Sequence, residues 1–186
     1  MKPDLSAITL ICYENRDHAS ALDLMAAMTR LAHFGNARLL NWFHGWQQFN
    51  YWENYETWKY VTTSHMLCIH LDGYIVNPEL WDPAWLEYDY IGAPWPEDLN
   101  KDRVGNGGFC LKSRRLLNRI AEIPWQDFPG DVLVCSVFRE QLIAEGFKFA
   151  PLEVAALFSI ENKIPEHQPA KTFGFHGTMN FPAWKA

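Results

Sequence analysis

Residues 7–13 read AITLICY, and residues 19–31 read ASALDLMAAMTRL. The first run is continuously apolar, rich in β-branched residues and bounded by polar ones, which predicts a strand covered on both faces. The second repeats apolar residues at helical spacing and is built from Ala, Leu and Met, so a helix follows the strand. Gly35 and Asn36 then break the chain before a second apolar run at 37–43, ARLLNWF. A strand, a helix and a strand in this order predict a parallel sheet in an α/β domain.

The rest of the chain is compatible with that start. A length of 186 residues fits one domain, able to bury roughly 70 % of its unfolded-state surface without staples. Hydrophobic residues at 48 % and charged ones at 20 % exclude disorder. Nine Trp, twelve Phe and seven Tyr exceed what a core of this size needs, so some rings are expected to line a groove or an interface. A net charge of −6 and a pI near 5.6 leave no basic footprint for nucleic acid. Cys12, Cys68, Cys110 and Cys135 lie far apart without metal spacing and read as buried thiols in a reducing compartment. The opening residues lack a signal-peptide core, and no stretch approaches the roughly 20 apolar residues of a transmembrane span. A cytoplasmic location is expected, with a membrane-bound substrate left open.

Two segments set polar groups against apolar strands. In HMLCIHLDGYIV, residues 65–76, Asp72 stands at the end of an interior strand, where open parallel sheets collect ligands. A buried carboxylate there costs several kcal/mol unless a metal ion or donor cluster pairs with it. In VGNGGFCLKS, residues 104–113, glycines and Asn106 precede a short strand, a pattern for a tight turn or a pocket wall. Ser113 is placed to cap the helix RRLLNRIAEI. Residues 90–93 form a short strand leading into a Pro-rich loop at 94–104 with the composition of a lid. Pro129-Gly130-Asp131 opens a helix at 132–145 that Gly146 closes. Lys148 to Ala150 is a further short strand, residues 162–171 a loop, and the aromatic tail FGFHGTMNFPAW is expected to dock onto the body.

The ordered set HMLCIHLDGYIVNPELW, EYDYIGAPWP, RVGNGGFCLKSRRL, PGDVLVC, GFKFAPLEVAALFSIE and FGFHG resembles a bacterial family of uncharacterised glycosyltransferase-like domains with the type A nucleotide-diphosphosugar transferase fold. The resemblance implies a single Rossmann-like α/β domain with a mainly parallel central sheet flanked by helices, and a donor nucleotide bound at the sheet's carboxyl edge. It implies a nucleotide-diphosphosugar donor, a glycan or lipid-linked acceptor, and a divalent cation, Mn²⁺ or Mg²⁺, bridging the diphosphate. Where type A enzymes carry Asp-x-Asp, this chain has His70-Leu71-Asp72, so the first acid is missing. Asp72 is the residue expected at metal or donor, and His70 is left to metal, ribose, diphosphate or packing. Asn106, Gly107 and Gly108 match the turn beneath the donor sugar. Asp131 matches the acid that serves as general base, with Gly130 in place of the family's preceding glutamate. Its other reading is a helix cap. His176 in FGFHG matches a C-terminal histidine that closes over the donor and can ligate the metal; the alternative is a backbone-bonded histidine in a docked tail.

Trp81, Trp85 and Trp95 flank the expected cleft as stacking platforms, Trp95 at the donor, and Lys112, Arg114 and Arg115 form a basic trio near a diphosphate or a solvated helix start. Glu153 and Glu161 are expected on a helix face or turn, and His65 at a strand cap. The function expected is transfer of a sugar to an acceptor hydroxyl with inversion. The alternative is a non-catalytic carbohydrate or nucleotide-sugar-binding domain on a degenerate transferase scaffold. A nucleotidyltransferase is disfavoured because ENRDH, rather than a Gly-rich loop, follows the first strand.

Overall fold

The computed structural model describes residues 2–97, 104–165 and 171–179. Strand β1 (Asp4–Tyr13) leads into helix α1 (His18–Leu31), which Asp17 caps by accepting from Ser20 N, and then into β2 (His33–Leu40). A helical segment follows: α2 (Gly45–Tyr51), a wider π turn (Trp52–Glu56) and a 3₁₀ turn (Thr57–Tyr60). Next come β3 (His65–Ile69), β4 (Gly73–Ile75), β5 (Tyr90–Ile91) and β6 (Phe109–Ser113). The remaining elements are α3 (Arg114–Ala121), α4 (Gly130–Val132) with a π turn (Leu133–Val137), α5 (Arg139–Ala144), α6 (Leu152–Phe158), β7 (Ser159–Ile160) and β8 (Gly174–His176).

Five strands form one sheet in the order β2-β1-β3-β6-β5. β1 pairs parallel with both β2 and β3, whereas β6 runs antiparallel to β3 and to β5, so β6 alone is reversed. The sheet is therefore mixed and mostly parallel. Burial follows the pleat. Ile11, Tyr13, Met66, Cys68 and Cys110 face one core with Leu116, Ile120 and Leu133, while Leu10, Cys12, Leu67, Ile69 and Phe109 face the other with Met25, Met28 and Phe158. Apolar groups on both sides explain why AITLICY shows no alternation. A second sheet, β4-β8-β7, docks the tail through residues 174–176.

Several sequence expectations shift. β2 spans 33–40 rather than 37–43, and Gly35 lies inside it. A Cβ at Gly35 would sit 2.1 Å from the Ser6 carbonyl oxygen, where the β1–β2 register slips, so this glycine marks a close backbone approach instead of a break. The helix expected at 132–145 is interrupted by the π turn and by Phe138. Gly146, at φ +85°, closes α5 as expected: Phe147 N bonds Leu142 O and Gly146 N bonds Ile143 O, each at 2.9 Å. Ser113 caps α3 by accepting from Leu116 N at 3.0 Å. Phe149 makes only a single bridge to Tyr90, in place of the strand expected at 148–150. Much of the expected lid at 94–104 and of the loop at 162–171 lies outside the described residues. All four cysteines are buried and unpaired with one another as disulfides. Among the described residues no helix is long and apolar enough to cross a membrane.

Candidate functional site

The site grows out of the turn after β3. His70 N donates to Gly108 O at 2.9 Å and Gly73 N to His70 O at 3.0 Å, which folds the chain back into β4. β4 pairs with β8 so that Gly73 opposes His176, and Gly177 N donates to Asp72 O at 2.9 Å. This register brings His176 Nε2 to 3.2 Å from Asp72 Oδ1. The imidazole lies on bare backbone: a Cβ at Gly108 would fall 2.0 Å from Nε2. Asp72 is therefore paired, as a carboxylate at a strand end requires, although its side chain remains 31 % exposed where full burial was expected.

Asn106 organises the loop from beneath. It is 1 % exposed and adopts φ +65°, a conformation Asn tolerates better than most residues. Its Oδ1 accepts from Phe109 N at 3.1 Å, which orients the amide so that Nδ2 meets His176 Nδ1 at 2.8 Å. Its carbonyl accepts from Tyr90 Oη at 2.8 Å. Gly107 N donates to Asp131 Oδ2 at 3.0 Å, and Asp131 Oδ1 accepts from Val132 N at 2.8 Å. Gly107 thus spends its amide on Asp131, and Gly108 admits the His176 ring to the backbone.

His176 Nδ1 also stands 3.3 Å from Glu161 Oε1. Unprotonated, Nδ1 accepts from Asn106; protonated, it donates to Glu161. Burial opposes the charge on this ring, but the Asp72 and Glu161 carboxylates outweigh it and lift its pKa to about 9. The same contact lowers Asp72, His176 being the first cause. His70 goes the other way: burial is the largest influence and keeps the ring neutral. It stands edge-on to Tyr13, Phe49 and His176, at centroid distances of 6.2, 5.8 and 5.7 Å. Its Nε2 is buried and has no hydrogen-bond partner.

One nitrogen or oxygen from each of His70, Asp72 and His176 lies within 4.8 Å of the others. Two imidazoles and a carboxylate at that spacing suit a divalent transition metal, and the unpartnered His70 nitrogen is what such an ion would satisfy. Beside them opens a cavity of about 550 Å³ at the ends of β1, β2 and β3, lined by Tyr13, Glu14, Arg16, Phe43, Trp46, Phe49, His70 and Asp72. Glu14 fixes its rim by accepting from Arg16 N at 2.6 Å and Asp17 N at 3.1 Å.

Other expectations fail on packing. Trp85 is 4 % exposed and packs with Phe158 and Phe173 in the core, so it is no platform, while Trp81 is half-buried against Trp85 and Phe173. Trp95 covers Gly105, whose Cβ would meet the ring at 2.2 Å; like Asn106, Asp131 and His176 it stands outside the cavity's own lining. Lys112 is buried against Glu53 at 3.0 Å and Arg115 binds Asp89 at 2.6 Å, so the basic trio is dispersed. His65 holds the start of β3 through Ser64 Oγ and Tyr88 O, as expected. The sequence reading passed over Glu53, Arg16 and the rings of Tyr13, Phe43, Trp46 and Phe49. The polar end of AITLICY and the ring-rich stretch 42–55 were the available signals.

A family model described as "Protein of unknown function (DUF5672)" matches residues 40–176, a span that holds His70, Asp72, Asn106, Asp131, Glu161 and His176. No curated protein matches the chain. Among solved structures, the crystal structure of a glycosyltransferase involved in the glycosylation of the major capsid of PBCV-1 is similar, with a TM-score of 0.59 and 16 % identity. The match covers 91 % of this chain and 92 % of that one. At this identity the likeness is one of fold.

Proposed function

This chain belongs to the DUF5672 family, and we propose that it is a glycosyltransferase of type A character that binds a nucleotide-diphosphosugar at the carboxyl edge of its main sheet. The observation that carries the reading is the meeting of Asp72, His70 and His176 beside a cavity lined by aromatic rings. The fold shared with a solved glycosyltransferase supports it. In this reading Tyr13, Phe49 and Trp46 offer faces for a base, and Arg16 a cation at the rim for phosphate.

His70, Asp72 and His176 would hold a divalent cation, which when bound neutralises charge on a departing diphosphate as a Lewis acid. The chain's own work is positional. Glu161, accepting from Nδ1–H, and the bare backbone of Gly108 fix the His176 ring beside Asp72. Asp131 is the proton acceptor: as an acceptor hydroxyl oxygen bonds the anomeric carbon, its proton passes to the Asp131 carboxylate. The bond to the diphosphate breaks in the same step, as the new bond forms, with its electron pair on the leaving group. Burial, then the neighbouring Glu53 charge, raises Asp131 above the ordinary aspartate value, which strengthens it as a base. Attack from the side opposite the leaving group inverts the anomeric centre.

A non-catalytic nucleotide-sugar-binding module is the second reading, favoured by one observation: both Asp131 oxygens accept backbone amides, as a purely structural aspartate's would. Incubation with UDP- and GDP-sugars, with and without Mn²⁺, separates the two. Release of nucleoside diphosphate, lost in Asp131→Asn, supports the enzyme; saturable binding without release supports the module; no binding by any donor contradicts both.

A further inference from the structure

Two carboxyl groups meet at Gly107 from different parts of the chain. A Cβ on Gly107 would lie 3.6 Å from both Asp131 Cγ and Glu53 Oε1. Glu53 arrives from the π turn after α2 and is 3 % exposed. Its Oε1 accepts from Lys112 Nζ at 3.0 Å, and its Oε2 accepts from Gly130 N at 3.2 Å. Lys112, on β6, is 2 % exposed. A Cβ on Gly130 would stand 2.5 Å from the Glu53 carboxyl, so any side chain at 130 would drive that carboxyl out. The position before Asp131 is thus bare because an acid from 77 residues away fills the space beside it. A buried ion pair of this kind is a weak stabiliser, since well-packed apolar side chains often do as well. What it does supply is a fixed charge next to Asp131.

We propose that Glu53, locked in place by Lys112, is a positioning residue for Asp131: it fills the space beside Gly130 and holds a fixed negative charge next to the Asp131 carboxyl, which is itself held against Gly107. The inference rests on Asp131 as proton acceptor and names the residues that regulate it. A negative Glu53 beside Asp131 disfavours a second negative charge and makes Asp131 the stronger base, while Lys112 moderates the effect. Among the described residues, Glu161 beside β7, Tyr90 on β5, Cys110 on β6 and Cys135 in the π turn after α4 also face Asp131.

The test is a carboxyl-carbon NMR titration of Asp131, with no donor present, in the wild type, E53Q, K112M and E53Q/K112M. The Gly107 amide proton is followed as a second reporter of the Asp131 contact. E53Q leaves the Lys112 charge facing Asp131 and lowers its midpoint by about one unit; K112M raises it by about half a unit. The double variant keeps the volume without either charge and settles the matter if a single variant fails to fold. Its midpoint falls by about half a unit, because the larger of the two opposing influences is gone. A midpoint that moves by less than about 0.3 unit in every folded variant overturns the proposal. Because no donor is used, this outcome is separate from a failure to bind nucleotide sugars.

Discussion

Asp72 and Asp89 sit at opposite edges of the same sheet and are treated in opposite ways. Asp89, near the start of β3, is 6 % exposed and saturated with donors: Ser113 Oγ at 2.5 Å, Arg115 at 2.6 and 3.2 Å, and Lys148 N at 2.8 Å. Asp72, past the end of β3, is 31 % exposed, faces a cavity, and shares a space with two histidines, one of which has an unpartnered nitrogen. One aspartate closes a structural joint, and the other is left with coordination to spare. A buried polar group that is fully satisfied rigidifies a fold, whereas an unsatisfied one at a cavity points to something that binds there.

Substitutions at the two edges should therefore separate stability from binding. The largest stability effect is expected from Asp89→Ala, which strands Ser113 and the Lys148 amide and removes the partner of Arg115. A loss on the order of 3 kcal/mol is expected in urea unfolding, with nucleotide-sugar binding unchanged in the folded fraction. Gly108→Ala comes next: its Cβ overlaps the His176 ring, so the ring must leave Asp72. Thermal melts should show a cost of about 1–3 kcal/mol, and Mn²⁺ affinity by calorimetry should drop as far as in His176→Ala. Equal Mn²⁺ affinity in Gly108→Ala and the wild type would remove His176 from the site.

Acid provides a smaller test at the Asp89 edge. Burial raises the Asp89 carboxyl, but Arg115, Ser113 and the Lys148 amide overcome it and hold the group below its ordinary value. A depressed folded-state pKa gives stability that is present above the unfolded value, about 3.9, and lost as pH falls through the lower folded one. Urea midpoints of the wild type should thus decline below about pH 4, and Asp89→Asn should flatten that decline. A curve identical in the two proteins would mean that the joint contributes nothing through its charge.

The contrast also explains what could be read from sequence. Local patterns identified β1, α1, β3 and β6, the Ser113 cap and the Gly146 stop, because hydrophobic period, capping hydroxyls and positive φ are written within a few residues. Asp72 stood out because a carboxylate after HMLCI contradicts its surroundings, and His176 through the resemblance of FGFHG to the family's C-terminal histidine motif. The pairing of those two follows from the β4–β8 register, which no local signal carries. Lys112 looked like part of a basic trio, yet β6 turns it inward to a glutamate 59 residues away. Trp85 looked like a platform, but Phe173 from the tail and Phe158 bury it in the core. Gly35 read as a break because a close approach of two strands and a turn call for the same residue. What escaped the sequence was long-range pairing, and the candidate site consists mostly of that.

The most direct test is calorimetric titration of UDP- and GDP-sugars, with Mn²⁺ present, into the wild type and Asp72→Asn. Saturable binding by the wild type, weakened at least about tenfold in the variant, or roughly 1.4 kcal/mol, is the predicted result. The two proteins should melt within about 1 kcal/mol of each other, since the Asp72 side chain is 31 % exposed and closes no structural joint. Equal affinity in both, or no donor bound by either, would contradict the account.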